Sequence, residues 1–163
     1  MDDLALRLDR TDRRILALMQ ENARISNLEL AERVGLSPTP CSRRVKRLED
    51  SGLIEGHVTL LNQAMLGLKL TAIISISMDR HTPERFANFE ARVGEFPEVV
   101  ECSIVTGQAA DYLLKAVVPD MAYYEEFLLG RLTRIEGVTG VHTSFVLRKV
   151  IARTALPLLD DPL

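Results

Sequence analysis

The segment from Leu28 to Gly52 constrains the fold of this chain more than any other, because a glycine separates two amphipathic helical patterns. The first pattern runs from Leu28 to Val34 and stops at Gly35. The second opens at Ser37 and ends at Gly52. So short a connection between two helices predicts a helix-turn-helix.

The second of these helices has two unlike faces. At about 100° per residue, Cys41, Val45 and Leu48 form an apolar face. The opposite face carries hydroxyls and cations, and we take as candidate DNA contacts Ser37, Thr39, Ser42, Arg43, Lys46 and Arg47. Such a helix fits the major groove, whose walls are phosphates and whose guanines pair with arginine. The plainer alternative is the solvated face of an ordinary helix, but the preceding helix and the glycine turn favour DNA binding.

The flanking residues extend this motif into a small domain. An apolar stripe predicts a helix from about Asp9 to Glu21, and Ser26 with Glu29 forms a capping-box pattern before the next helix. The β-branched and apolar residues from Ile54 to Asn62 predict a strand or wing. We therefore expect a winged helix-turn-helix domain over residues 1–60.

From Leu70 onward the apolar period changes from helical spacing to two. Four alternating or apolar segments predict strands, and two segments with helical spacing lie between them. The predicted strands are Leu70 to Asp79, Val99 to Gly107, Asp111 to Pro119 and Gly140 to Val150. The order βαββαβ is that of a ferredoxin-like domain, in which two helices cover one face of an antiparallel sheet. The predicted fold class is thus α+β, with a linker at 61–69, the second domain at 70–150 and a tail at 151–163.

Two observations predict that the chain assembles with copies of itself. We assign Ile104, Leu114, Phe145 and Leu147 to the uncovered face of the sheet, where such apolar residues call for a second subunit. The net charge is −3, and residues 1–57 hold ten basic and ten acidic side chains. Because DNA affinity grows with the number of phosphates neutralised, a monomer with this charge is expected to bind weakly and a dimer better.

Composition excludes several other classes. The longest apolar runs fall far short of the roughly 20 residues that span a bilayer, and the acidic start lacks a secretion signal. Cys41 and Cys102 are far apart, which predicts buried thiols in a reducing cytosol rather than a disulfide or a metal site. The three histidines are scattered without a catalytic motif. We therefore expect no enzyme, no metal and no resident cofactor.

The residues together resemble a known family. The match covers nearly the whole chain, from LDRTDRRILALMQENARISNLELAERVGLSPTPCSRRVKRLEDSGLI to GQAADYLLKAVVPD. It is similar to the leucine-responsive and asparagine-responsive regulators of bacteria and archaea, the Lrp/AsnC or feast/famine family. The resemblance implies a cytoplasmic, nucleoid-associated transcription factor that binds double-stranded DNA. It further implies that residues 70–150 serve sensing and oligomerisation, with dimers that often assemble into octamers.

The resemblance also implies a small amino-acid effector, bound where dimers meet. The expected effector residues are Gly107, Gln108, Asp111, Tyr112, Thr143 and Ser144. A glycine turn exposes N–H groups to a carboxylate, and an aspartate accepts an ammonium group. The alternative is a plain hairpin turn, and this loop is one residue longer than is usual in the family. Two other functions stay open: an architectural protein that compacts DNA, and a regulator that responds to no effector.

Overall fold

The computed structural model describes residues 7–107 and 110–159, which form two compact units. One unit holds the described residues up to Leu60 and those from Ile151 onward, and the other runs from Leu61 to Val150. The helices are α1 (Arg10–Glu21), α2 (Asn27–Val34), α3 (Pro38–Asp50), α4 (Pro83–Gly94) and α5 (Met121–Gly130). The strands are β1 (Leu70–Met78), β2 (Val99–Ile104), β3 (Tyr112–Val118) and β4 (Val138–Phe145). This order confirms the predicted α+β fold.

Short polar side chains set the beginnings of the first two helices. The Asp9 carboxylate accepts the N–H of Asp12 at 2.8 Å, and the Asp12 carboxylate accepts the N–H of Asp9 at 3.1 Å. Ser26 accepts the N–H of Glu29 at 3.2 Å, but Glu29 pairs with Arg33 at 2.7 Å. The reciprocal capping box therefore lies at α1, whereas it was predicted at α2.

The helix-turn-helix unit has its own apolar core at the junction of its three helices. Its buried members are Ile15, Leu16, Leu30, Ala31, Cys41 and Leu48. Gly35 ends α2 with φ of 72°, a left-handed conformation that glycine adopts without strain, and this residue makes the tight turn into α3. Packing on a shared core fixes α3 against the other two helices.

The C-terminal tail packs on the same unit. Leu158 is partly buried against the helix-turn-helix core. The Gln20 side chain donates to the carbonyl of Leu156 at 3.1 Å and accepts its N–H at 2.6 Å. Arg13 Nε donates to the carbonyl of Leu159 at 3.1 Å. Residues more than 130 positions apart in the chain are thereby joined in one unit.

The strand predicted at Ile54 to Asn62 is wrong for the chain taken by itself. Residues 55–62 have no helix or strand assignment, and Val58, Leu60 and Leu61 are exposed. A strand needs a neighbouring strand to pair its backbone groups, and within the described residues no strand pairs with this segment.

The second unit is a four-stranded antiparallel sheet in the order β2-β3-β1-β4. Its covered face packs on α4 and α5, with Phe89 and Phe127 at the centre of the core. The strand predicted at Gly140 to Val150 ends earlier, at Phe145. This residue pairs with Ala72, and because β1 begins at Leu70, little of β1 remains to pair with later residues. The second segment with helical spacing, residues 121–135, is helical only to Gly130 and is followed by a short 3-10 helix at Leu132–Arg134.

The assignment of residues to the uncovered sheet face needs correction. Leu114 is fully buried in the core, and Phe145 packs against it on the helix side. Ile104 lies opposite Tyr112, which faces the core, so it also belongs to the helix side, at an edge where it is 56% exposed. Leu147 follows the end of β4 and is 99% exposed.

The uncovered face instead carries residues that alternate with the buried ones. Ile73, Leu113 and Val117 are partly exposed there, beside the ion pair of Lys115 with Glu101. The prediction erred by one position of the strand period, which moves a side chain to the opposite face. The face is less apolar than predicted, although three aliphatic side chains remain on it.

Candidate DNA interface and effector site

The exposed face of α3 presents the hydroxyls and cations selected from the sequence. Cys41 and Leu48 are fully buried and anchor the opposite face. Side chains on the outward face are exposed, and they include Ser37, Thr39, Ser42, Arg43, Lys46 and Arg47. The apolar stripe thus fixes which way the helix turns its polar residues.

Arg43 and Lys46 are the cations of this face that form no ion pair within residues 7–107 and 110–159. They lie three positions apart, so both point from one side of the helix. Their full charge is therefore available to phosphates or to the acceptor atoms of guanine.

The N-terminus of α3 is a poor anion site by itself. Ser37 occupies the cap position without a side-chain cap hydrogen bond. Pro38 and Pro40 lack N–H groups, and the N–H of Cys41 already bonds to the Ser37 carbonyl. Only the N–H of Thr39 is left free in the first turn, so phosphate contacts must come mainly from side chains.

Arg47 differs from the other two cations because a buried carboxylate holds it. Its Nη2 lies 2.5 Å from Asp12 Oδ2, and Arg44 Nη1 lies 2.8 Å from Asp12 Oδ1. Arg44 also pairs with Asp9 at 2.6 Å. The N–H of Asp12 and the Arg44 guanidinium hold the pKa of Asp9 below its usual value. The hydrogen bonds that Arg44 donates to Asp9 and Asp12 raise the pKa of Arg44. Half of the Arg47 side chain stays exposed.

Sequence reasoning missed this role of Asp12. A carboxylate in the first turn of a helix is already explained by its interaction with the positive end of the helix dipole, so a second role was not inferred. The signal that could have identified the pair is the presence of two arginines, Arg44 and Arg47, one turn apart and adjacent to the apolar stripe of α3.

The candidate effector loop is partly described. Gly107 has φ of 81°, as a tight turn requires, whereas Gln108 lies outside the described residues. One Asp111 oxygen accepts the N–H of Met78 at 2.7 Å, and the other lies 2.7 Å from His81 Nε2. Asp111 therefore fastens the loop to the end of β1, and His81 is a neighbour that the sequence did not reveal.

Tyr112 points away from that loop into the core. Its hydroxyl donates to Glu90 at 2.8 Å, and its ring contacts Phe86 and Phe89. Burial, followed by the Glu90 carboxylate, raises the pKa of Tyr112. Its side chain borders a cavity of about 400 Å³ that Ile104 also lines. Tyr112 is thus a core residue, and its side chain points in a different direction from the side chain of Asp111.

Thr143 and Ser144 lie on opposite faces of β4. The Thr143 hydroxyl bonds to that of Tyr124 inside the core, whereas Ser144 is exposed on the uncovered face. Thr143 on β4 pairs with Ile74 of β1, and Tyr112 on β3 pairs with Ile76 of β1. The two residues are therefore on strands that β1 separates. At about 4.8 Å between strands and 3.3 Å per residue, Thr143 lies roughly 12 Å from Tyr112. One protomer therefore does not gather the five described candidate residues into a single pocket.

Other chemistry is sparse in the part of the chain that the structure describes. No group of three His, Cys, Asp or Glu side chains there could hold a metal ion. No helix among the same residues is both long and apolar enough to cross a membrane. Cys41 is buried as expected, but Cys102 is exposed on the edge strand β2, so the prediction of two buried thiols is half wrong.

Comparison with known proteins agrees with the two units. A winged helix-turn-helix DNA-binding model matches residues 8–55, and the Lrp/AsnC ligand-binding domain matches residues 71–156. A DNA-binding domain joined to a ligand-binding domain defines a transcriptional regulator. The chain belongs to the Lrp/AsnC family of these regulators, which is not a family of enzymes. The family expected from the sequence is confirmed.

Characterised relatives match over most of their length. The leucine-responsive regulatory proteins of Salmonella typhimurium and Escherichia coli K12 are each 46% identical over 143 residues, which is 88% of this chain and 87% of theirs. A transcriptional regulator of Neisseria meningitidis, solved as a complex with L-methionine, is 42% identical with a TM-score of 0.89, covering 93% of this chain and 97% of that one. An AsnC-family regulator of Agrobacterium tumefaciens is 39% identical with a TM-score of 0.87, covering 92% and 97%.

Proposed function

We propose that this regulator binds double-stranded operator DNA by placing α3 in the major groove. The observation that carries this proposal is the unpaired, exposed pair Arg43 and Lys46, on the helix that the apolar core turns outward. Arginine gives bidentate contacts to guanine, and lysine contacts guanine or phosphate. Thr39 and Ser42 lie on the same face as secondary contacts.

Two residues complete the proposed interface at its edges. Ser37 and the N–H of Thr39 lie at the start of α3, where a phosphate meets the positive end of the helix dipole. Arg47 reaches the rim with the half of its side chain that stays exposed. The DNA-binding domain in this proposal is residues 1–60.

Operator binding by substituted full-length protein tests the interface. Selection from random duplexes with the wild type supplies the operator. Arg43→Ala and Lys46→Ala are each expected to weaken binding by about 1–3 kcal/mol if they contact bases, or to lower the salt slope by roughly one if they contact phosphate. Arg92→Ala removes the same charge from the other unit and serves as the control. Wild-type affinity in both α3 variants would exclude α3 as the recognition helix.

We further propose that a small amino acid binds near Asp111 and modulates DNA binding or assembly. Relatives are named for leucine response, and the Neisseria regulator was solved with L-methionine. Asp111 supplies a carboxylate for the ammonium group, and the turn at Gly107 supplies N–H groups for the carboxylate. Residues 70–150 are the sensing and oligomerisation domain in this proposal, with Thr143 and Ser144 as more distant contributors.

Calorimetry with L-leucine and L-methionine, then the other standard amino acids, tests this proposal. Asp111→Asn keeps an oxygen for the Met78 N–H but loses the charge, so binding should weaken at least tenfold while the fold persists. Asp120→Asn, at the cap of α5, is the charge-matched control. Unchanged binding in Asp111→Asn would move the site elsewhere. An absence of binding for every amino acid would favour a regulator without an effector.

The functional unit that we propose is a homodimer that assembles further to an octamer. Ile73, Leu113 and Val117 form an aliphatic patch on the uncovered face of the sheet, where a second sheet can cover it. Two copies of α3 also double the phosphate contacts. Light scattering should return at least a dimer at micromolar concentration, and a stable monomer would contradict the assembly. An octamer that wraps DNA without sequence preference would instead indicate an architectural, nucleoid-associated role.

A further inference from the structure

Among the described residues of the helix-turn-helix unit, Asp12 is the most completely buried carboxylate, with 1% of its side chain exposed. Each of its oxygens meets a different arginine of α3: Oδ1 meets Arg44 and Oδ2 meets Arg47. Oδ2 also accepts the N–H of Asp9, and Arg44 Nη1, which donates to Asp12, also donates to the Asp9 carboxylate. These four side chains, here called the Asp12 clamp, join the start of α1 to the middle of α3.

The clamp adds a second, polar constraint on the rotation of α3 about its axis, beside the apolar packing of Cys41 and Leu48. Arg44 and Arg47 are three positions apart, so two contacts one helical turn apart hold the same side of the helix. Arg43 and Lys46 each precede a clamped arginine by one position, which sets them about 100° around the helix. The clamp therefore reinforces the direction in which Arg43 and Lys46 point, which the apolar stripe of α3 already favours.

The clamp also reduces the charge that α3 offers to any anion. Asp9 and Asp12 carry two negative charges, and Arg44 and Arg47 carry two positive charges, so the cluster is formally neutral. Uncompensated arginines on this helix would attract phosphates of every sequence. A buried ion pair contributes little net stability compared with apolar packing, and its better attested use is to specify one geometry.

We propose that Asp12 is a positioning residue for sequence recognition. It holds α3 in the rotation that the apolar stripe favours and compensates Arg44 and Arg47, so that sequence readout depends on Arg43 and Lys46. This inference rests on the proposed role of α3 as the recognition helix.

Asp12→Asn separates this role from simple stabilisation, because the two roles move non-specific binding in opposite directions. The substitution is nearly isosteric and raises the charge of the clamp from zero to +1. Affinity for a duplex of scrambled sequence should rise about threefold to tenfold at low salt, with a salt slope steeper by up to about one. Affinity for the selected operator should fall about tenfold, so the ratio of operator to scrambled affinity falls. A residue that only stabilised the fold would lower both affinities.

The experiment is fluorescence anisotropy of the full-length protein on both duplexes between 50 and 200 mM salt. Glu95→Gln is the matched control: it makes the same charge change and frees Arg92, but in the other unit. It should leave the ratio of affinities unchanged. An Asp12→Asn protein that is folded by circular dichroism and keeps the wild-type ratio overturns the proposal.

Arg47→Gln tests the same proposal if Asp12→Asn fails to fold. This variant should fold, because Asp12 keeps Arg44 as its partner. Removal of the Arg47 charge takes the clamp from zero to −1, so both affinities should fall, but the proposal expects operator affinity to fall further and the affinity ratio to decrease. Equal losses on both duplexes, with a slope smaller by about one, would leave the affinity ratio unchanged and overturn the proposal. Wild-type operator binding by both Arg43→Ala and Lys46→Ala would instead refute α3 as the recognition helix, and this result is separate from the others.

Discussion

Leu158→Ala should destabilise the helix-turn-helix unit although the substitution lies near the other end of the chain. Leu158 is partly buried against the core that Ile15 and Leu48 share. Burying a whole leucine side chain contributes about 1.5–3 kcal/mol, so a partly buried one should contribute about 1 kcal/mol. For a unit of this size, that loss corresponds to a fall in Tm of roughly 4–8 °C.

The matched control is Leu156→Ala. The Leu156 side chain is 74% exposed, whereas its backbone N–H and carbonyl bond to Gln20. This variant should therefore keep the wild-type Tm within about 2 °C, because surface truncations rarely exceed 0.5 kcal/mol. Thermal unfolding followed by circular dichroism measures both, and hydrogen exchange in α1 locates the loss. Equal Tm values for Leu158→Ala and the wild type would refute the inclusion of the tail in this core.

Two further predictions concern the ligand-binding unit. Burial raises the pKa of Glu98, but hydrogen bonds from Arg131 and Tyr123 outweigh this effect, so the folded pKa lies below the usual 4.5. Glu98→Gln should therefore lower the free energy of unfolding by about 1–3 kcal/mol at neutral pH. In urea unfolding, this difference from the wild type should shrink as the pH falls through the lowered pKa. Gly137→Ala should lower the free energy of unfolding by about 1–3 kcal/mol in the same assay, because φ is +96° and a Cβ would lie 2.4 Å from Arg85 Cδ. An unchanged urea midpoint would contradict this prediction.

Local sequence signals were sufficient for the helix-turn-helix. Asp9, Ser26 and Gly35 mark helix boundaries through their own backbone contacts, which depend on neighbours within four positions. The apolar stripe of α3 then follows from its period alone. Features that depend on short separations in the chain can be predicted from the residues that make them.

Features that depend on pairing could be predicted only in part. The order of strands and helices along the chain followed from their periodicity. Which face of the sheet each residue occupies depends instead on the register between neighbouring strands. Leu114 and Ile104 were placed on the uncovered face because they are apolar, although their alternation with Leu113 and Ser103 puts them on the covered one. Similarly, the clamp at Asp12 joins residues 32 and 35 positions apart, and only the folded chain brings them together.

The candidate effector residues show why a ligand site of this kind resists prediction from one chain. Asp111 lies at the end of β1 beside His81, Tyr112 belongs to the core, and Ser144 lies on the uncovered face. Residues on different faces of one protomer can surround a small zwitterion only if a second copy places its own loop, the one that contains Asp111, next to them. Ligand affinity and assembly must then be linked, each changing the other by the same factor. Dilution of the protein through its assembly range should therefore weaken the binding of L-leucine or L-methionine in parallel, and an affinity independent of protein concentration would place the whole site within one protomer.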